Sequence, residues 1–167
     1  MKRQTFTLLV VEDDTNDQML IRLAFEKTGT DIGLQFVSSG QEAIAYFQGK
    51  GKFADREQYE YPSYILTDLK MSNGDGFSVL QFLKSKPEFA IIPTVVLSAS
   101  SDLDDIKKSY VLGASAYLVK PQVQKELQGL LKVLLDFWRV CEVPEVDVTG
   151  KRLPTEGRGK LGERFEQ

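Results

Sequence analysis

Acidic residues stand where two apolar runs of this chain end: Glu12-Asp13-Asp14 follows the first directly, and Asp68 closes another. If those runs lie side by side, at least three carboxylates converge on one edge. Like charges confined together repel, and either a bound cation or raised pKa values relieve the repulsion. A cation fits better, because the donors are oxygens, and oxygen-only sets suit a hard ion such as Mg2+ with its few carboxylates, several waters and a phosphate oxygen. Two further apolar runs end at Ser98-Ala99-Ser100 and at Lys120-Pro121, supplying a hydroxyl and an ammonium. A carboxylate can attack phosphorus, a metal can offset charge on the transferring group, and a lysine and a hydroxyl can bind its remaining oxygens. The combination points to phosphoryl transfer.

Convergence of this kind needs a scaffold. Short apolar, β-branched runs at Phe6–Val11, Gly33–Val37, Tyr64–Leu66, Thr94–Leu97 and Ala116–Val119 read as buried strands. Helical spacing fills the intervals. Thr15 with Gln18 and Ser39 with Glu42 fit the capping-box pattern, while Phe77, Leu80 and Leu83, and Ile106 with Tyr110, each give a helix one apolar face. The last helix carries one continuous stripe of Leu127, Leu130, Leu131, Leu134, Leu135 and Trp138, which Phe137 does not continue. Five strand-helix units predict an α/β fold with a doubly wound, five-stranded parallel sheet and helices on both faces, because strands apolar on both sides need cover on both. In such sheets ligands bind outside the carboxyl ends of the strands. All the residues named above fall there. Gly74 and Gly76 suit a tight loop returning the chain to a helix beside Asp68.

Composition removes several rival chemistries. The 167 residues allow one domain and an appendage. There is no histidine and one cysteine, Cys141, so Ser-His-Asp hydrolases, zinc centres and internal disulfides are excluded. Against 24 acidic residues stand 21 basic ones, leaving a net charge of −3 and no electrostatic reason to bind nucleic acid. The apolar start is too short for a secretory core or a membrane span, which makes cytoplasm the expected compartment. Two segments break the pattern. Gln48–Pro62 is a polar, aromatic-containing connection expected to be partly ordered, and 142–167 reads as a flexible tail after a domain spanning 1–141.

Four stretches carry a resemblance: LLVVEDD, ILTDLKMSNGDGF, TVVLSAS and AYLVKP occur in order and with the spacing of a response-regulator receiver domain. Singly each is commonplace, since a lysine before proline is normally surface decoration and an acidic pair after a strand is normally solvated. Together they resemble that family across Thr5–Val140, including the phytochrome-associated subset of stand-alone receivers that share a long connection before the third strand. The resemblance implies the flavodoxin-like strand order 2-1-3-4-5. It also implies that Asp68 accepts a phosphoryl group from a histidine kinase or histidine phosphotransferase. Asp13, Asp68 and the backbone carbonyl of Lys70 would bind Mg2+, and Glu12 would act through water. Lys120 and Ser98 would hold the phosphoryl group, and Tyr117 would be the switch aromatic that follows Ser98. Output would be a phosphorylation-dependent contact with a downstream protein, and self-association through the fourth helix, fifth strand and fifth helix is a further expectation, with Phe137 as its marker.

Departures accompany the resemblance. Ser72 stands where the family commonly has proline, which predicts a looser loop after Asp68, and the Lys70 ammonium is within reach of the phosphoryl site. Two other functions compete. A pseudo-receiver would use the fold as a constitutive interaction module, but gives no reason to keep the charged cluster. A Mg2+-dependent phosphohydrolase would need a further acid–base residue and a substrate cap, and no inserted domain is present. The implied catalytic act is therefore self-phosphorylation and hydrolysis, not turnover of a separate substrate.

Overall fold

The computed structural model describes residues 6–29, 32–72 and 75–144. Five parallel strands, β1 (Phe6–Val11), β2 (Ile32–Val37), β3 (Tyr64–Thr67), β4 (Thr94–Ser98) and β5 (Ala116–Val119), form one sheet in the order β2-β1-β3-β4-β5. Both the parallel sheet and its order agree with the expectation from sequence. The helices are α1 (Thr15–Glu26), α2 (Gly40–Gln48), α3 (Gly76–Ser85), α4 (Leu103–Val111) and α5 (Gln124–Val140). A 3-10 helix at Gly51–Ala54 and a single helical turn at Pro87–Ala90 were not foreseen. Among the described residues no helix is long and apolar enough to cross a membrane.

Side chains alternate across a strand, so β1 feeds two cores. Leu8 and Val10 face α1 and α5, meeting Ile21, Phe25, Leu131 and Leu135, whereas Leu9 and Val11 face the α2 and α3 side with Tyr46, Phe47 and Val79. Every residue of β3 and β4 is buried, as central parallel strands require. The α5 stripe packs as its spacing predicts, with Leu127, Leu131, Leu134, Leu135 and Trp138 buried. Trp138 stacks on Tyr64 at 4.3 Å between ring centroids and accepts the Tyr64 hydroxyl on its carbonyl at 3.0 Å.

Local expectations needed three corrections. The cap of α1 is Asp14, whose carboxylate accepts the Asp17 N–H at 2.9 Å, so Thr15 is the first helical residue and not the cap. A charged acceptor one residue earlier outcompetes the threonine hydroxyl. At α2 the capping pattern holds in modified form: Ser39 accepts the Glu42 N–H, and Glu42 reaches back to the Ser38 N–H. In α4 the pair Ile106 and Tyr110 does not make the buried face. Tyr110 is half exposed, and the residue that α4 buries is Ser109, whose hydroxyl donates to the Asp105 carbonyl.

The 48–62 connection is ordered around Arg56. Its guanidinium lies 4.0 Å over the Tyr61 ring and 5.2 Å from that of Tyr46, and its Nη1 donates to the carbonyls of Tyr46 and Phe53. Phe53 is buried. Gly74 and the tail from residue 145 onward lie outside the described residues.

Candidate functional site

Backbone hydrogen bonds bring the strand ends together beyond the ladder itself. Glu12 N–H donates to Val37 O at 3.0 Å, Asp68 N–H to Val11 O at 2.9 Å and Lys120 N–H to Ser98 O at 2.7 Å. The residues that follow β1, β3 and β5 are thereby placed on one carboxyl-terminal edge.

Lys120 is the hub of that edge. Its Nζ donates to Glu12 Oε2 at 2.9 Å, to Asp68 Oδ2 at 3.2 Å and to Asp17 Oδ2 at 2.9 Å. Burial pushes the Glu12 carboxyl up to about 7, with Lys120 pulling it down and Asp68 adding to the rise. For Lys120 burial works to lower the pKa, but its bonds to Glu12 and Asp17 and the charge of Asp68 outweigh it and hold the ammonium above the ordinary lysine range. The three acids gathered by the lysine are thus Glu12, Asp68 and Asp17, the last of which sequence reasoning did not name. Asp17 was missed because an acid in the first turn of a helix is already accounted for by the helix dipole.

Asp13 turns toward the loop after β3. Its Oδ2 accepts the Ser72 N–H at 3.1 Å and the Ser72 hydroxyl at 3.2 Å. Burial alone would raise the Asp13 pKa, but these bonds hold it below the usual carboxylate value. Far from loosening the loop, the serine ties it to β1. A proline, lacking both donors, could not. On the other side of the loop Gly76 is required. A Cβ there would lie 2.0 Å from the Asp68 carbonyl oxygen, and its N–H donates to Leu69 O at 2.9 Å.

Asp68 itself is held from two sides, Oδ1 accepting the Leu69 N–H at 2.6 Å while Oδ2 meets Lys120. The Lys70 ammonium does not join it. That group lies 3.3 Å from Asp105 Oδ2 and stays exposed, and the same Asp105 oxygen accepts the Ser100 hydroxyl at 2.6 Å. Ser98 is buried and its Oγ accepts the Ser100 N–H at 3.2 Å. Tyr117 donates its hydroxyl to the Ser100 carbonyl at 2.7 Å and packs against Leu69, Leu80 and Val96. Ser98 and Tyr117 therefore meet through Ser100.

The donor chemistry fits a hard divalent cation. Glu12 and Asp68 meet on Lys120, Asp13 follows Glu12 directly in the chain, and all three offer carboxylate oxygens in a sequence without histidine. Among the described residues no three acids close into a metal cage. An open arrangement is what Mg2+ prefers, since it keeps several waters.

Comparison with known proteins places the sequence and the fold. The sequence matches the response regulator receiver domain family over residues 8–132. It is 33% identical over 131 residues to the response regulator Rcp1 of Synechocystis sp., covering 78% of this chain and 87% of that protein. Among solved structures, the phosphorylated cyanobacterial phytochrome response regulator RcpA superimposes with a TM-score of 0.79 at 33% identity, over 84% of this chain and 99% of RcpA. The Mn2+-bound form of Rcp1 superimposes with a TM-score of 0.76 at 31% identity, over 84% of this chain and 99% of that one.

Proposed function

This chain belongs to the response regulator receiver domain family of two-component signalling, and from that premise we propose that Asp68 is its phosphoacceptor, charged by a histidine kinase or histidine phosphotransferase in a Mg2+-dependent reaction. The observation that carries the reading is the contact of Lys120 Nζ with Asp68 Oδ2 at 3.2 Å, both side chains being 12% exposed, on the carboxyl-terminal edge of the sheet. A carboxylate poised against an ammonium in a mostly water-excluded edge is a nucleophile whose product charge already has a partner.

An Asp68 oxygen attacks phosphorus, the bond from phosphorus to the donor's imidazole nitrogen breaks, and that nitrogen keeps the electron pair. Lys120 then meets a phosphoryl oxygen, and Ser98 turns its hydroxyl toward another. The residues that would hold the metal are Asp13, Asp68 and the Lys70 carbonyl, with Glu12 acting through water. When bound, Mg2+ supplies positive charge opposite the transferring oxygens. Hydrolysis of the acyl phosphate returns Asp68 to its starting state, so the cycle serves as a timer and not as substrate turnover. The likeness to RcpA supports a phytochrome-type kinase as the donor.

Output passes through Ser98 and Tyr117. As Ser98 moves toward the phosphoryl group, the Ser100 carbonyl that holds the Tyr117 hydroxyl shifts with it, and the face of α4, β5 and α5 is remodelled. Exposed Tyr110, Val119 and Phe137 make this face apolar enough to dock a downstream protein or a second copy of the chain. No nucleic acid or membrane is required, and cytoplasm is the matching compartment. The test is intact mass after incubation with acetyl phosphate and Mg2+. One phosphoryl group is expected in the wild type and none in Asp68→Asn or in metal-free buffer. An adduct that survives in Asp68→Asn, or none in the wild type, overturns the assignment.

A further inference from the structure

An ammonium group has three N–H donors. Those of Lys120 have three carboxylate acceptors: Glu12 at 2.9 Å, Asp17 at 2.9 Å and Asp68 at 3.2 Å. Glu12 and Asp68 belong to the site described above. Asp17 stands in the first turn of α1, where its own N–H is already capped by Asp14, and its carboxylate reaches across to the end of β5. Neither helix capping nor the receiver motif accounts for that reach.

We propose that Asp17 is a positioning residue that shares the Lys120 ammonium with Glu12 and Asp68, holding it against α1 until Asp68 carries a phosphoryl group. The proposal rests on the phosphoacceptor reading of Asp68 and adds a resting-state restraint to it.

The N–H that Asp68 accepts passes to the phosphoryl group, but the ammonium must move to reach it while Glu12 and Asp17 hold it in place. Burial selects which of them yields. The side chain of Glu12 is 3% exposed, that of Asp68 is 12% exposed and that of Asp17 is 32% exposed. Phosphorylation moves the charge of the Asp68 carboxylate onto phosphoryl oxygens that lie beyond it, and to follow that charge Lys120 must leave either Glu12, where a buried carboxylate would be left unpaired, or Asp17, where a partly exposed one recovers hydration. Asp17 is therefore released, and that release opposes phosphorylation. Removing its charge, with the helix intact, removes the opposition.

The test uses full-length protein carrying 15N-lysine, in saturating Mg2+, titrated with beryllofluoride as the phosphoryl mimic. The Lys120 ammonium resonance is assigned by its loss in Lys120→Met. Asp17→Asn and Asp17→Ala are both expected to shift that resonance in the mimic-free protein, to leave it at the wild-type position once the mimic is bound, and to tighten mimic binding about 3-fold, the size of a partly exposed ion pair. Two variants guard against a local folding defect, since alanine favours the helix. Variants with an unmoved resonance, or with unchanged or weaker binding, overturn the role of Asp17 while leaving the receiver reading intact. A wild type that binds no beryllofluoride overturns both.

Discussion

Ser72 donates two hydrogen bonds to one oxygen of Asp13, from its N–H at 3.1 Å and from its hydroxyl at 3.2 Å. Asp13 ends up fastened to a loop that the receiver pattern would normally stiffen with proline. A carboxylate so engaged must share or surrender those bonds to ligate a cation. Ser72→Pro removes both donors and restores the ring, so Mn2+ binding is expected to tighten about 3-fold, in keeping with the small net worth of a hydrogen bond. Ser72→Ala, which removes only the hydroxyl, should fall between. Calorimetric titration with Mn2+ checks the order, and equal affinities in all three proteins would show that Ser72 does not restrain Asp13.

Gly76 should tolerate no side chain. An added Cβ meets the Asp68 carbonyl oxygen at 2.0 Å, a backbone atom that cannot swing aside. Gly76→Ala must displace the loop that carries Asp68 or unwind the start of α3. Overpacking of this kind costs roughly 1–3 kcal/mol or more. Urea unfolding should report that loss, and acetyl phosphate labelling of Asp68 should fall with it. A variant as stable as wild type would mean that the loop and α3 separate freely.

Much of this was legible in the sequence, and the misses have physical causes. Strand runs were visible because central parallel strands are apolar on both faces, and β3 and β4 are buried throughout. Glu12, Asp68 and Lys120 meet on one edge, as fold topology alone brings strand ends together. Asp17 was missed because its contact with Lys120 spans 103 residues and no local pattern encodes it. Tyr110 was misassigned to a buried face because α4 is short and largely charged, leaving too few apolar positions to set its rotation. The 48–62 connection was expected to be partly ordered, and what sequence did not reveal is that Arg56 organises it through cation–π contacts with Tyr46 and Tyr61.

The α5 stripe separates stability from association within one helix. Leu131 is fully buried against the sheet, and Phe137 is 60% exposed. Leu131→Ala should destabilise by about 2–5 kcal/mol, the usual range for a buried leucine. Phe137→Glu should leave urea unfolding within about 0.5 kcal/mol of wild type. If α5 forms the self-association surface, the same change should abolish any beryllofluoride-dependent shift in sedimentation. A Phe137→Glu protein that still assembles would move the interface elsewhere.

Alkaline pH gives a test of the Tyr64–Trp138 contact. Burial pushes the Tyr64 phenol up to about 12, with the nearby Cys141 and Glu142 adding to the rise. Its hydroxyl is bonded to the Trp138 carbonyl, and its ring is stacked on the indole. An acid whose pKa is raised by folding holds its proton more tightly in the native state. The stabilisation is therefore complete below the unfolded value of about 10, and it is lost as pH climbs from there through about 12. Between those values the unfolded chain binds fewer protons than the native one, so unfolding free energy must fall with rising pH. Tyr64→Phe removes the ionisation while keeping the ring. Its urea midpoint should start lower at neutral pH, for want of the hydrogen bond to Trp138, and decline less steeply than wild type above pH 10. Tyr46, still more strongly raised by burial, remains in both proteins and supplies the common residual slope. Identical slopes in the two proteins would show that Tyr64 ionises outside the core, contrary to the packing of α5 on β3.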